Sequence, residues 1–84
     1  MKQRWKLIYP DDMIGQPMIY KIGHQFEVIT SILNMNIVPA HTKEVTRKMT
    51  FIGCATIDVD GEPGEIQKAL DFLIKNKISV KLIS

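Results

Sequence analysis

The sequence predicts an α+β sandwich, a four-stranded antiparallel sheet with two helices on one face. Three observations predict it. Segments of period two and segments of helical period follow one another in the order β-α-β-β-α-β. Proline stands at the start of both helical segments, and turn residues separate the rest. The chain has 84 residues and is 45% hydrophobic, enough for one core and too little for two domains.

The elements follow in order. Arg4-Trp5-Lys6-Leu7-Ile8-Tyr9 alternates, with Trp5, Leu7 and Tyr9 on one face, and Pro10-Asp11-Asp12 breaks the strand. Pro17 suits the first turn of a helix, where its missing N–H costs nothing. Met18, Ile19, Ile22 and Phe26 then follow at spacings of three and four. Gly23 weakens this helix and marks where it begins to end.

Val28 to Ile37 is the second strand, and its middle, "SILNMNI", is irregular. Ile29, Leu33, Met35 and Ile37 fall on one parity, Val28 and Ile32 on the other. Val38 to Thr50 is a long polar connection, and Phe51 to Asp60 is the third strand, with Ala55, Ile57 and Val59 facing the core. Gly61-Glu62-Pro63-Gly64 is a turn. Ile66, Ala69, Leu70, Leu73 and Ile74 then mark the clearest amphipathic helix in the chain. Glu62 and Glu65 near its start and Lys75 and Lys77 near its end complement the helix dipole. Asp71 and Lys75 form an i, i+4 pair. Ile78, Val80 and Leu82 alternate with Ser79, Lys81 and Ile83 in a final strand. This order is that of the ferredoxin-like fold, and residues 1–84 read as a single domain.

Composition excludes several function classes. The single cysteine, Cys54, cannot form an internal disulfide, which fits a reducing compartment. No apolar run approaches the ~20 residues of a membrane helix, and the N-terminal stretch lacks the apolar core of a signal peptide. The expected location is the cytoplasm, with no insertion into a membrane. A net charge of +2 permits nucleic-acid contact without arguing for it.

No catalytic constellation can be assembled. His24 and His41 have no partner at metal-ligand spacing and read as solvent-facing. Cys54 lies on an apolar strand, where a packed, inert thiol is usual. Asp58 and Asp60 share a strand face; the plain reading is a polar strand edge entering a turn, not an acid–base pair. The Cys-x-x-Cys of metal-carrying versions of the fold and the arginine loop of its phosphatase version are both missing after the first strand. An enzyme is not expected, nor a metal, nor a cofactor. Lys43, Arg47 and Lys48 make the central connection basic. The third strand, however, offers Phe51 without the second aromatic that RNA-binding relatives of the fold stack on bases, so no nucleic-acid partner is expected.

The irregular strand points outward. Two helices cover one face of such a sheet, and a strand apolar on both sides is what a sheet covered on both sides requires. The outward residues read as Ile29, Leu33, Met35 and Ile83, an apolar patch that a monomer seldom keeps without a use. The expected partner is a second copy of the chain, meeting the first across the helix-free face or along an edge strand. A β-bulge near Ser31 would exchange the faces and turn Leu33 to the core.

The pieces "RWKLIY", "FEVITSIL", "FIGCATIDVDG", "IQKALDFL" and "ISVKLI", in this order and spacing, resemble the NIL domain over nearly the whole chain. That domain is best known at the C-terminus of the ATPase subunits of bacterial methionine importers. The resemblance implies a ferredoxin-like, non-enzymatic regulatory domain that pairs with its twin and binds methionine, or a related amino acid, between the copies. The counterpart of the family's Asn-Ile-Leu triplet is Ser31-Ile32-Leu33, a hydroxyl in place of an amide. The ligand residues so implied are Ser31, Ile32, Leu33 and Met35. No GxxxxGK[ST] is present, so the domain reads as free-standing. The alternative is a structural adaptor that binds a partner protein, or its own twin, through the open sheet face without any ligand.

Overall fold

Alternation in the first strand places Trp5, Leu7 and Tyr9 under the helices, and the rest of the architecture is built on that strand. The computed structural model describes residues 1–39 and 51–84; His41, Lys43, Arg47 and Lys48 lie outside them. The elements are β1 (Lys2–Tyr9), a short 3-10 turn (Asp11–Met13), α1 (Met18–Gln25), β2 (Val28–Pro39), β3 (Phe51–Gly61), α2 (Pro63–Lys75) and β4 (Ser79–Leu82). The strands lie side by side as β2-β3-β1-β4, and every neighbouring pair is antiparallel. This is the predicted ferredoxin-like sandwich. No helix among the described residues is long and apolar enough to cross a membrane.

The core joins Trp5 and Leu7 of β1, Ile57 and Val59 of β3, Met18 and Ile22 of α1, and Leu73 of α2. Pro17 stands one residue before α1, at its N-cap, and Pro63 opens α2. Ile66, Ala69 and Leu73 form the buried stripe of α2, as the spacing predicts. Ile74, at the rim of that stripe, is 57% exposed instead. Phe72 takes a place inside, meeting Phe26 edge to face at 5.8 Å between ring centres. Asp71 accepts a hydrogen bond from Gln67 Nε2 at 2.9 Å rather than pairing with Lys75.

The end of α2 explains the sharp turn into β4. Lys77 takes a left-handed conformation, with φ 66°. The Lys77 N–H donates to the Ile74 carbonyl at 3.1 Å and the Ile78 N–H to the Leu73 carbonyl at 3.0 Å. These two bonds close a Schellman motif, whose apolar member, Ile78, is buried.

β2 departs most from the reading above. It runs to Pro39, past the expected end at Ile37, and its pairing with β3 slips between Ile32 and Asn34. Ile32 lies opposite Ile57, Asn34 opposite Thr56, and Leu33 is the extra residue of a β-bulge. The slip resets the parity. Val28 and Ile32 before the bulge, and Met35 and Ile37 after it, all fall on the helix side, opposite Gly61, Ile57, Ala55 and Gly53. The expected outward set is therefore split. Ile29, opposite Asp60, is on the helix-free face. Ile83, hydrogen-bonded to Arg4 and following Lys81, is there too. Met35 is on the other face. Leu33 does not enter the core; it is 49% exposed at the bulge.

The helix-free face is also less apolar than expected around Arg4, where the outward positions Lys2, Arg4, Lys6, Thr56 and Asp58 are polar, whereas Ile8, Ile52 and Cys54 keep its other end apolar. Arg4 Nε donates to Asp58 Oδ1 at 2.8 Å, Arg4 Nη2 reaches Oδ2 at 3.3 Å, and Lys2 Nζ stands 3.7 Å from the same carboxylate. Asp58 is thus no strand edge: β3 is an inner strand, and Asp58 is the one buried charged residue among those described. The hydrogen bond from Arg4, helped by the charges of Arg4 and Lys2, holds the Asp58 carboxyl below the usual carboxylate range. Exposed large apolar side chains are most numerous along β2, with others at Ile8, Tyr20, Phe51, Ile74 and the chain ends.

Candidate functional site

A strand rises more than twice as far per residue as a helix, and this mismatch makes a site. β2 has 12 residues and spans about 40 Å, whereas α1 has 8 and spans about 12 Å. The far halves of β2 and β3 therefore extend beyond the helices. The segment linking β1 to α1 partly roofs them, and Gly53 lets it approach. A Cβ on Gly53 would stand 3.2 Å from Tyr9 Cβ and 3.3 Å from Ile14 Cγ1, tighter than ordinary contact.

Between this segment, the start of α1 and the far half of β2 lies a pocket of about 250 Å³. Ile32, Met35 and Ile37 form its β2 wall, Pro17 and Met18 line the α1 side, and the β3 backbone around Cys54 is its floor. No charged side chain lines it among the described residues. Its polar lining residues are few, Tyr9, Tyr20 and Gln16, and the Cys54 side chain points to the opposite face, since its neighbours Gly53 and Ala55 take the helix side. Burial raises the pKa of Tyr9, so that hydroxyl stays neutral and is able to donate as well as accept. The pocket suits a small ligand with an apolar tail. A charged end would have to stay at the mouth, in contact with water.

Of the four residues implied as ligand-binding, the fold brings two together here, Ile32 and Met35. Ser31 lies opposite Asp58 on the other face, and Leu33 stands at the bulge outside the pocket lining. Reading the sequence missed Tyr9, Ile14, Gln16 and Pro17. The signal was available: Pro10 and Pro17 bracket "DDMIGQ", whose Met13 and Ile14 have to pack on something. His24 is exposed at the end of α1 and stacks on Tyr20, with ring centres 5.6 Å apart. Cys54, opposite Ile8 and Asn36, is a half-exposed free thiol. Among the described residues, no three His, Cys, Asp or Glu side chains come together as a metal site.

The sheet has two unlike edges. β4, at one edge, has four residues; β2, at the other, has 12 and carries no charged side chain.

Known proteins place this architecture. The chain is similar to a solved structure described as the C-terminal domain of an ABC transporter ATP-binding protein from Enterococcus faecalis, with a TM-score of 0.72 and 24% identity. The similarity covers 98% of this chain and 83% of that one, and at this identity it speaks for the fold. No curated protein matches the chain. The family model of the NIL domain matches residues 3–81, from β1 into β4 with the bulged strand included, and the chain belongs to the NIL domain family.

Proposed function

We propose that this domain is a non-enzymatic regulatory module that binds a small amino acid with an apolar side chain, methionine first among the candidates, and works as a pair of copies in the cytoplasm. The observation that carries the ligand reading is the pocket beside β2. It is apolar, small, free of charged lining and formed in part by Ile32 of the family's signature triplet. Its size matches one side chain rather than a nucleotide or a cofactor. Membership of the NIL family adds the regulatory sense. The reducing compartment fits a chain with one cysteine and no partner for it.

A thermal-shift screen of amino acids and thiols tests the reading. A ligand at 100 times its dissociation constant stabilises a fold by roughly 2.7 kcal/mol, which for a domain of this size is an upward shift of roughly 10 °C or more. Methionine or another apolar amino acid should give it, and Met35→Glu, which puts a charge on the pocket wall, should abolish it. A flat response to every compound would favour the second reading, an adaptor that binds a partner protein without ligand. The uncharged edge of β2 is the observation on that side.

A further inference from the structure

Two lysines stand directly opposite each other on the helix-free face. Lys6 of β1 and Lys81 of β4 are register partners, and both are exposed. Like charges so placed weaken a sheet. The neighbouring cations are balanced: Arg4 and Lys2 share Asp58, and the N-terminal amine stands 3.7 Å from Asp60. Lys6 and Lys81 have no carboxylate within ion-pair distance among the described residues. An anion from outside the chain would relieve their repulsion.

The surface beside the lysines is apolar. Ile8 follows Lys6 by two residues, about 7 Å along β1, and Ile52 shares its face on β3. Both, with Phe51 and Ser79, line a hollow of about 350 Å³ at the end of the sheet. Lys77 lines it too, as does Asp11, which accepts the Phe51 N–H at 3.3 Å. Beside the lysines β1 offers no ring to a nucleobase: Trp5 and Tyr9 turn to the helices and are buried, so the stacking platform of RNA-binding sheets is missing. The chemistry fits a polypeptide, with carboxylates for the lysines and an apolar side chain for the hollow.

We propose that the helix-free face docks an acidic segment of a partner protein, with carboxylates over Lys6 and Lys81 and an apolar side chain in the hollow at Ile8 and Ile52. The inference does not rest on the ligand pocket, which lies on the other side of the sheet. A segment seated there leaves both sheet edges free. Exposed lysines attract through solvent, so the contact is one that salt screens.

The test titrates a fluorescein-labelled peptide of six glutamates followed by two leucines with the whole chain, and follows the amide chemical shifts of the protein. The expected result is saturable binding that weakens at least about tenfold between about 50 and 300 mM salt, with shifts gathered at Lys6, Ile8, Thr56 and Lys81. Lys6→Glu should weaken binding at least about tenfold and at the same time raise Tm by roughly 1–5 °C, because it turns a like pair into an opposite one. A lysine with a merely structural role would not lose binding while the fold gains stability. Lys81→Glu should repeat both effects if Lys6→Glu misfolds. Lys75→Glu, on α2, changes the net charge equally and should leave affinity within about twofold. No saturable binding, or an equal loss in Lys75→Glu, would overturn the proposal. So would shifts confined to β2, or tighter binding of a short polyuridylate than of the peptide, which would give the face to nucleic acid.

Discussion

The β4 edge and the β2 edge close the same sheet by opposite rules. β4 is short, charged and fixed from behind: Ile78 is buried just before it, and the Schellman turn of α2 sets its entry. β2 is three times as long, uncharged and packed mainly at its start, where Val28 is buried. The difference teaches where stability and recognition reside in so small a domain. One half is held by the core; the other extends past it, and its apolar surface is available for binding.

The comparison can be broken first by stability. Leu73 is fully buried between α2 and the sheet, so Leu73→Ala should cost about 2–5 kcal/mol. Leu33, exposed at the bulge, should cost within about 0.5 kcal/mol when changed to Ala in the monomer. Urea denaturation at low protein concentration measures both, and equal losses would erase the distinction between the halves.

A second effect separates the central strands from the edge. The folded pKa of Asp58 is depressed, so the unfolded chain binds more protons across the interval between the two values. The contribution of the ion pair is present above the unfolded value of about 3.9 and is lost as pH falls through the lower folded value. Arg4→Met removes the largest cause of the shift and should flatten the acid limb of the stability–pH curve. Asn34→Ala, on the β2 edge, should leave that limb as it is. An unchanged limb in Arg4→Met would show that the pair contributes nothing.

The smallest expected effect sharpens the site. Ser31 lies on the face opposite the pocket, so Ser31→Asn should change methionine affinity less than twofold by calorimetry. Tighter binding in that variant would move the ligand to the helix-free face and restore the role that the family triplet implies for this position.

Much of this was legible in the sequence, because most elements obey one period each. Trp5, Leu7 and Tyr9, then Ala55, Ile57 and Val59, alternate and are buried as alternation requires. Ile66, Ala69 and Leu73 keep helical spacing and line α2. β2 was misread because alternation carries no mark for an inserted residue. Once Leu33 is taken out of the count, Val28, Ile32, Met35 and Ile37 join one side, and the strand that read as two-faced becomes a mostly one-faced strand with a kink. The polar half of the helix-free face was readable from Lys2, Arg4, Lys6, Thr56 and Asp58, but only once β1 and β3 were known to be neighbours. The pocket was least legible. It depends on the difference in length between strand and helix and on Gly53 admitting a loop, and neither shows as a motif.

The bulge at Leu33 has one more consequence. A long, flat, uncharged edge is a template for indiscriminate polymerisation, since any extended chain can lie along it. The bulge cuts this one into Val28–Ile32 and Asn34–Pro39, twists the two pieces relative to each other, and leaves a proline at the end of the second. A stray strand meets at most five or six residues in register before it has to bend. The irregularity denies fibre growth a straight surface.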